Sequence, residues 1–293
     1  MSEEPRRAEE QDAEQTSKPT PPSAEPSVRL PAFVPSRLQR DLALDGFLRV
    51  AAMVLLFLAF FVLLSVGLSG SLVTVVLALG IVVGWVGLNT VGARVAQTLP
   101  GLTALIDNDP QAGEAMLAEL MRKRALPRFV RLMLGHRWAV LRHRQQDFVE
   151  SAAIAQTLLT TPRPGPAAGH RAHLLLILAE ARLEMRDAAG AWLALVELGR
   201  TPLSLTEALQ RMALQTRYEL LIGKPAHALS QAGHKIRLAE LMPAPQSGAF
   251  HAMLAAAAQR LGRDDWFDRL WPRVELLCSE TEIKQLRENG LLG

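Results

Sequence analysis

A single cysteine, Cys278, and a single tyrosine, Tyr218, stand in 293 residues. One cysteine makes no intramolecular disulfide and no CxxC pair for redox or zinc chemistry, so the thiol reads as a small buried hydrophobe. The spacings that carry common catalytic machinery are missing as well: there is no GxGxxG, P-loop, HExxH or GxSxG. We expect no enzyme, no catalytic residue, no cofactor and no metal. No run of alternating strand pattern follows residue 110, which leaves helices as the building material. One further absence dominates the chain. From Val50 to Ala93, 44 residues pass without an Asp, Glu, Lys, Arg, His or Pro.

About 20 apolar residues suffice for a helix to cross a hydrocarbon layer about 30 Å thick. A continuous helix over this run would be about 66 Å long, more than tilt absorbs. The sequence GLSGS at Gly67 to Ser71 supplies a break, because glycine adopts the reversed backbone angles of tight turns. Two spans are expected, about 48–66 and 72–92. A soluble hairpin would need partners burying two apolar helices on every side, and the later helices are too polar for that. The run begins too late and is too long for a cleavable signal. Arg37, Arg40 and Arg49 precede the first span, Arg94 follows the second, and the connecting loop has no charge. The positive-inside rule then puts both termini in the cytoplasm of a multi-pass protein of a bacterial inner membrane. Gly80 and Gly84 form a GxxxG that would let a helix backbone approach closely.

Composition divides the chain into three. Residues 1–40, rich in Pro, Glu, Ser and Gln, bury too little surface to offset ordering entropy and are expected to be disordered. Residues 41–93 form the two-helix anchor. Residues 94–293 carry helical periodicity and helix punctuation. Pro100-Gly101 marks a turn and Asp109-Pro110 a helix start; Ser204 with Glu207 and Ser279 with Glu282 are capping-box patterns; Asn289-Gly290 would stop the last helix.

The segment LLILAEARLEMRDAAGAWLALVELGRTP has Leu178 and Ala179 on a first helix, Asp187 at a turn, Ala191 and Leu195 on a second helix, and Pro202 near the close. It resembles a tetratricopeptide repeat. A second copy has Leu214, Tyr218, Gly223 and Ala228, and a third has Leu254, Ala255, Ala258 and Gly262, with Phe267 where a small residue belongs. An earlier hairpin shares the Asp147-Phe148 pair. The resemblance implies an all-α fold whose antiparallel helix pairs stack into an α-solenoid, with Ala179 and Ala191 at close helix contacts and Leu178, Leu195 and Tyr218 filling the spaces between helices. It also implies a concave face for a peptide or protein partner. The alternative is a bundle of ordinary helical hairpins.

Between Leu120 and Gln146 there are eight basic residues and no acidic one. Arg122, Lys123, Arg124, Arg128 and Arg131 follow the anchor closely enough to contact anionic lipid headgroups. On one helix Arg137 and Arg144 would face away from that group unless the chain breaks at Gly135. A plain solvated face is the competing reading, and the lack of interleaved aromatics argues against nucleic acid. His170 and His173, with Glu180 beyond, can be drawn as a metal site, but such loose spacing is ordinary in histidine-containing helices. The functional expectation is a membrane-bound adaptor or scaffold displaying a cytoplasmic helical domain; the other is an accessory or regulatory subunit of a membrane enzyme complex.

Overall fold

The computed structural model describes residues 30, 33–65, 72–123, 126–161 and 169–288. Every regular element among them is helical: α1 Pro35–Ser65, α2 Leu72–Asn108, α3 Pro110–Arg122, α4 Arg128–Arg144, α5 Phe148–Thr160, α6 Arg171–Glu184, α7 Ala188–Leu198, α8 Leu205–Leu221, α9 Pro225–Ala228, α10 Ala232–Ala239, α11 Ala244–Arg260, α12 Asp264–Leu277 and α13 Glu280–Glu288.

The first two helices serve two environments each. On α1, Leu38, Leu42 and Asp45 are buried against the helical domain, whereas Phe47, Val50, Leu55, Phe57 and Phe61 beyond them are exposed. A 22-residue stretch of α1, Leu38–Ala59, is long and apolar enough to cross a membrane, and is the one such stretch among the described residues. The second expected crossing falls within α2, where Val75, Val76, Leu79, Val82 and Val83 are exposed. The GLSGS break lies outside the described residues.

Two expected boundaries are corrected. Pro100-Gly101 does not turn the chain, and the helix that begins at Leu72 runs past residue 93 to Asn108 with Pro100 inside it. Val95, Leu99, Leu102 and Ile106 recur at helical spacing and are all buried, so a continuous apolar stripe outweighs one missing N–H on the exposed side. Described residues before residue 40 also belong to the fold. Leu30 is buried, Phe33 packs edge-on against Trp138 with ring centroids 5.3 Å apart, and α1 opens with Pro35 in its first position.

Four hairpin turns share one backbone solution. Gln146, Arg186, Gly223 and Gly262 have φ between 57° and 71°, the left-handed residue that ends a helix in a Schellman motif. At each, the following N–H returns to a carbonyl five residues earlier: Asp147 to Arg142, Asp187 to Arg182, Lys224 to Glu219 and Arg263 to Ala258, at 2.8–2.9 Å. The turns join α4 to α5, α6 to α7, α8 to α9 and α11 to α12. Each pair packs on the next, α5 on α6, α7 on α8 and α9 on α11, while α4 meets α6, α6 meets α8 and α8 meets α11. The extra helix α10 fits between the third and fourth pairs.

Starts are equally local in origin. The Asp109 carboxylate accepts from the N–H groups of Gln111 and Ala112 before α3, and Ser204 with Glu207 forms a reciprocal capping box before α8. Before α13, Ser279 and Glu282 exchange backbone-to-side-chain bonds in the same manner. Asn289-Gly290 lies outside the described residues.

Candidate functional site

The basic segment is built as an elbow. Helix α3 ends at Arg122, where the Lys123 N–H closes back on Leu120 O at 3.2 Å, and α4 starts at Arg128 after Leu126 and Pro127. Arg131, in the first turn of α4, then ties the elbow to α1. Its Nε and Nη2 donate to Asp45 Oδ2 at 3.0 and 2.8 Å, its Nη1 to Met121 O at 2.8 Å and its Nη2 to Lys123 O at 3.1 Å. Arg131 is 4% exposed and Asp45 5%. One guanidinium thus neutralises the only buried carboxylate of α1 and satisfies two carbonyls that the end of α3 leaves open.

That placement corrects one expected lipid contact: Arg131 faces inward and is committed to Asp45. Arg122 and Lys123 are exposed, Lys123 with Glu119 Oε1 3.9 Å away. Arg128 is half-buried and lines a cleft of about 280 Å³ with Gln39, Leu42, Ala43, Thr160 and Thr161. Arg124 lies outside the described residues. Helix α4 does not break at Gly135, where a side chain would press on Leu158 of α5.

Further along the run, Arg142 and Arg144 are paired, whereas half-buried Arg137 has no ion pair among the described residues. Arg142 Nε meets Glu150 Oε2 at 2.8 Å and its Nη1 meets Glu114 Oε1 at 3.4 Å. Glu114 also accepts from Gln145 and from the Leu30 N–H, and Glu150 accepts from the Phe33 N–H at 2.8 Å. Burial works against ionisation of Glu114, but the bonds from Gln145 and Leu30 and the Arg142 charge prevail and hold its carboxyl below the usual range. At Glu150 burial prevails and raises it. Arg144 reaches Asp107 Oδ1 at 3.4 Å.

Histidines line the α4–α6 contact. His136 Nε2 and His173 Nδ1 share a hydrogen bond, the His170 ring lies 5.2 Å from that of His136, and His143 Nε2 meets Glu180 Oε2 at 3.2 Å. Burial pushes the His173 imidazolium pKa down, and the Arg137 and His170 charges add to it. Among the described residues no group of three His, Cys, Asp or Glu side chains is placed to hold a metal ion.

The packing residues named from the repeat resemblance converge. Ala179 of α6 and Ala191 of α7 are fully buried, Leu195 nearly so, and Leu178 and Tyr218 border the same cluster. Tyr218 stacks on Trp192 with centroids 5.4 Å apart. Trp192 and its neighbour Leu193, 70% exposed, leave an apolar surface on α7.

Sequence reasoning missed the Asp45–Arg131 pair and the strap at Leu30 and Phe33. An Asp about one turn before an uncharged run was the available signal for the first; the second had none beyond two large apolar residues in a proline-rich tail.

No family model, no curated protein and no solved structure matches this chain. Fold and site together define its class: an all-helical protein whose two longest helices extend from a domain of packed hairpins, with a buried ion pair at the junction.

Proposed function

We propose that the chain is an integral membrane adaptor, with two spans near residues 48–66 and 72–92 and both ends in the cytoplasm, displaying a tetratricopeptide-like α-solenoid that binds a protein or peptide partner at an inner membrane. The observation that carries the reading is the series of four hairpins with one turn geometry, 40, 37 and 39 residues apart, each packed on the next. One hairpin cannot bury its apolar face alone, and stacking neighbours is how such units acquire a core and an extended binding surface. The uncharged run and the exposed apolar length of α1 support the anchor. Catalysis, cofactor and metal have no part in it.

Reporter fusions after Gln15 and after Leu292 test the topology, and both should report cytoplasm. A periplasmic signal at either end, or release of the protein by alkaline carbonate, would end the hairpin anchor. Affinity capture from solubilised membranes tests the scaffold. Proteins retained by the full chain and lost by Leu193→Glu support it. An unchanged set with that variant and with a chain cut after Ala93 would leave the helical domain without a role.

A further inference from the structure

We propose that the α3–α4 elbow lies at the membrane surface and that Arg122 and Lys123 engage anionic phospholipid headgroups there. The inference rests on the membrane reading above and adds a partner chemistry and a register.

Two independent routes give the elbow its height. Helix α2 leaves the uncharged run at Arg94 and continues to Asn108, about 21 Å at 1.5 Å per residue. After the single residue Asp109, α3 packs back along α2 for 13 residues, about 20 Å, so its last residue, Arg122, returns to the level of Arg94. The second route is α4, which is pinned at both ends. Near its start Arg131 bonds Asp45, five residues before Val50 where the uncharged run begins; at its end Arg144 meets Asp107, at the far end of α2. Arg122, Lys123 and the start of α4 are therefore held next to the point where α1 becomes apolar on all sides, and α3 aims its C-terminal end toward the bilayer.

Chemistry selects the occupant. The segment from Leu120 to Gln146 holds no carboxylate. Arg131, Arg142 and Arg144 are committed to Asp45, to Glu114 and Glu150, and to Asp107. Arg122 has no ion-pair partner among the described residues, and Lys123 has only an exposed contact with Glu119 at 3.9 Å. Arg94 is exposed at the same level. A helix C-terminus favours nearby cations, and both side chains are exposed there. A fixed cationic ledge at headgroup depth attracts phosphodiester groups bearing net negative charge, each basic side chain raising association about fivefold.

The test uses the full chain reconstituted in phosphatidylcholine with trace spin-labelled lipid. Spin-labelled phosphatidylglycerol should associate with the protein several-fold more strongly than spin-labelled phosphatidylcholine, and the preference should shrink as screening shortens from about 10 Å at 0.1 M to about 3 Å at 1 M salt. Arg122→Gln with Lys123→Gln should remove most of it while helicity holds, since Gln forms helices nearly as well as Arg. Arg263→Gln, on an exposed pair before α12, should leave it intact. An immobilised lipid component without selectivity, or selectivity unchanged in the double variant, overturns the headgroup site and leaves the anchor standing. No immobilised component of either lipid overturns the anchor and the site together.

Discussion

Two regions of the domain differ in how far charge enters their cores. Around α6, α7 and α8 the core is apolar and small: Ala172, Ala179, Ala191 and Ala194 bring backbones together and Leu175, Leu195 and Leu198 fill the gaps. Around α1 to α5 an apolar core is threaded by charge, with Asp45–Arg131 and Glu114–Arg142–Glu150 joining segments far apart in sequence. The first arrangement is tolerant in register and repeats. The second is specific, because a buried ion is costly unless one particular partner is in place. That difference suits their positions: a stack of hairpins presents surface, and a junction between two long helices and a domain must fix one geometry.

The largest effect should come from breaking the charged region. Arg131→Ala strands the Asp45 carboxylate and opens the Met121 and Lys123 carbonyls, at an expected cost of about 3–5 kcal/mol. The comparison sharpens with Asp45→Leu combined with Arg131→Met, which removes both charges and should unfold at higher temperature than Arg131→Ala alone. If the double variant is the worse of the two in thermal melts of the solubilised full chain, the pair stabilises more than it costs to desolvate.

In the apolar region the corresponding break is overpacking. Ala191→Leu inserts volume where α7 meets α6 and should cost about 1–3 kcal/mol, while Ala188→Leu, half-exposed at the start of α7, should be close to neutral. Equal melting temperatures for the two would mean that α7 relaxes freely and that the regions do not differ in rigidity.

These regions differed in legibility for the same reason. Caps and turns are written within four or five residues, so Asp109-Pro110, Ser204 with Glu207 and the hairpin turns could be read directly, and the small residues at Ala179 and Ala191 follow from helical spacing. Charge pairing is not local. Asp45 is 86 residues from Arg131, Leu30 is 84 from Glu114 and Phe33 is 117 from Glu150, and a basic run in one dimension looks the same whether its members face lipid, solvent or a buried carboxylate. Pro100 misled in the opposite direction: a local breaker yielded to a stripe of four buried residues that only the packed domain completes.

The smallest effects compare one turn with another. Asp147 and Asp187 each cap the helix that follows, accepting from the N–H of Glu150 at 3.0 Å and of Gly190 at 2.9 Å. Asp187→Ala should cost about 1 kcal/mol at neutral pH. The Gly190 N–H holds the Asp187 carboxyl below its ordinary 3.8, with help from Arg182. A depressed carboxylate contributes stability above its unfolded value and loses it as pH falls through the folded one, so the difference between variant and parent should fade below about pH 3.8.

The third turn lacks this device. Lys224 occupies the equivalent place with φ −110° and ψ 61°, near the −83° and 82° of Asp187, and offers no side-chain acceptor. Its carbonyl already receives the His227 N–H at 3.1 Å. Lys224→Asp should supply the missing acceptor and place a negative charge at a helix start, a gain of about 0.5 kcal/mol because α9 has only one turn to stabilise. The two substitutions should therefore shift the melting temperature in opposite directions. Shifts of the same sign would show that a shared left-handed residue and a shared return hydrogen bond do not make the turns interchangeable, and the hairpin series would then be four separate solutions to one geometric problem.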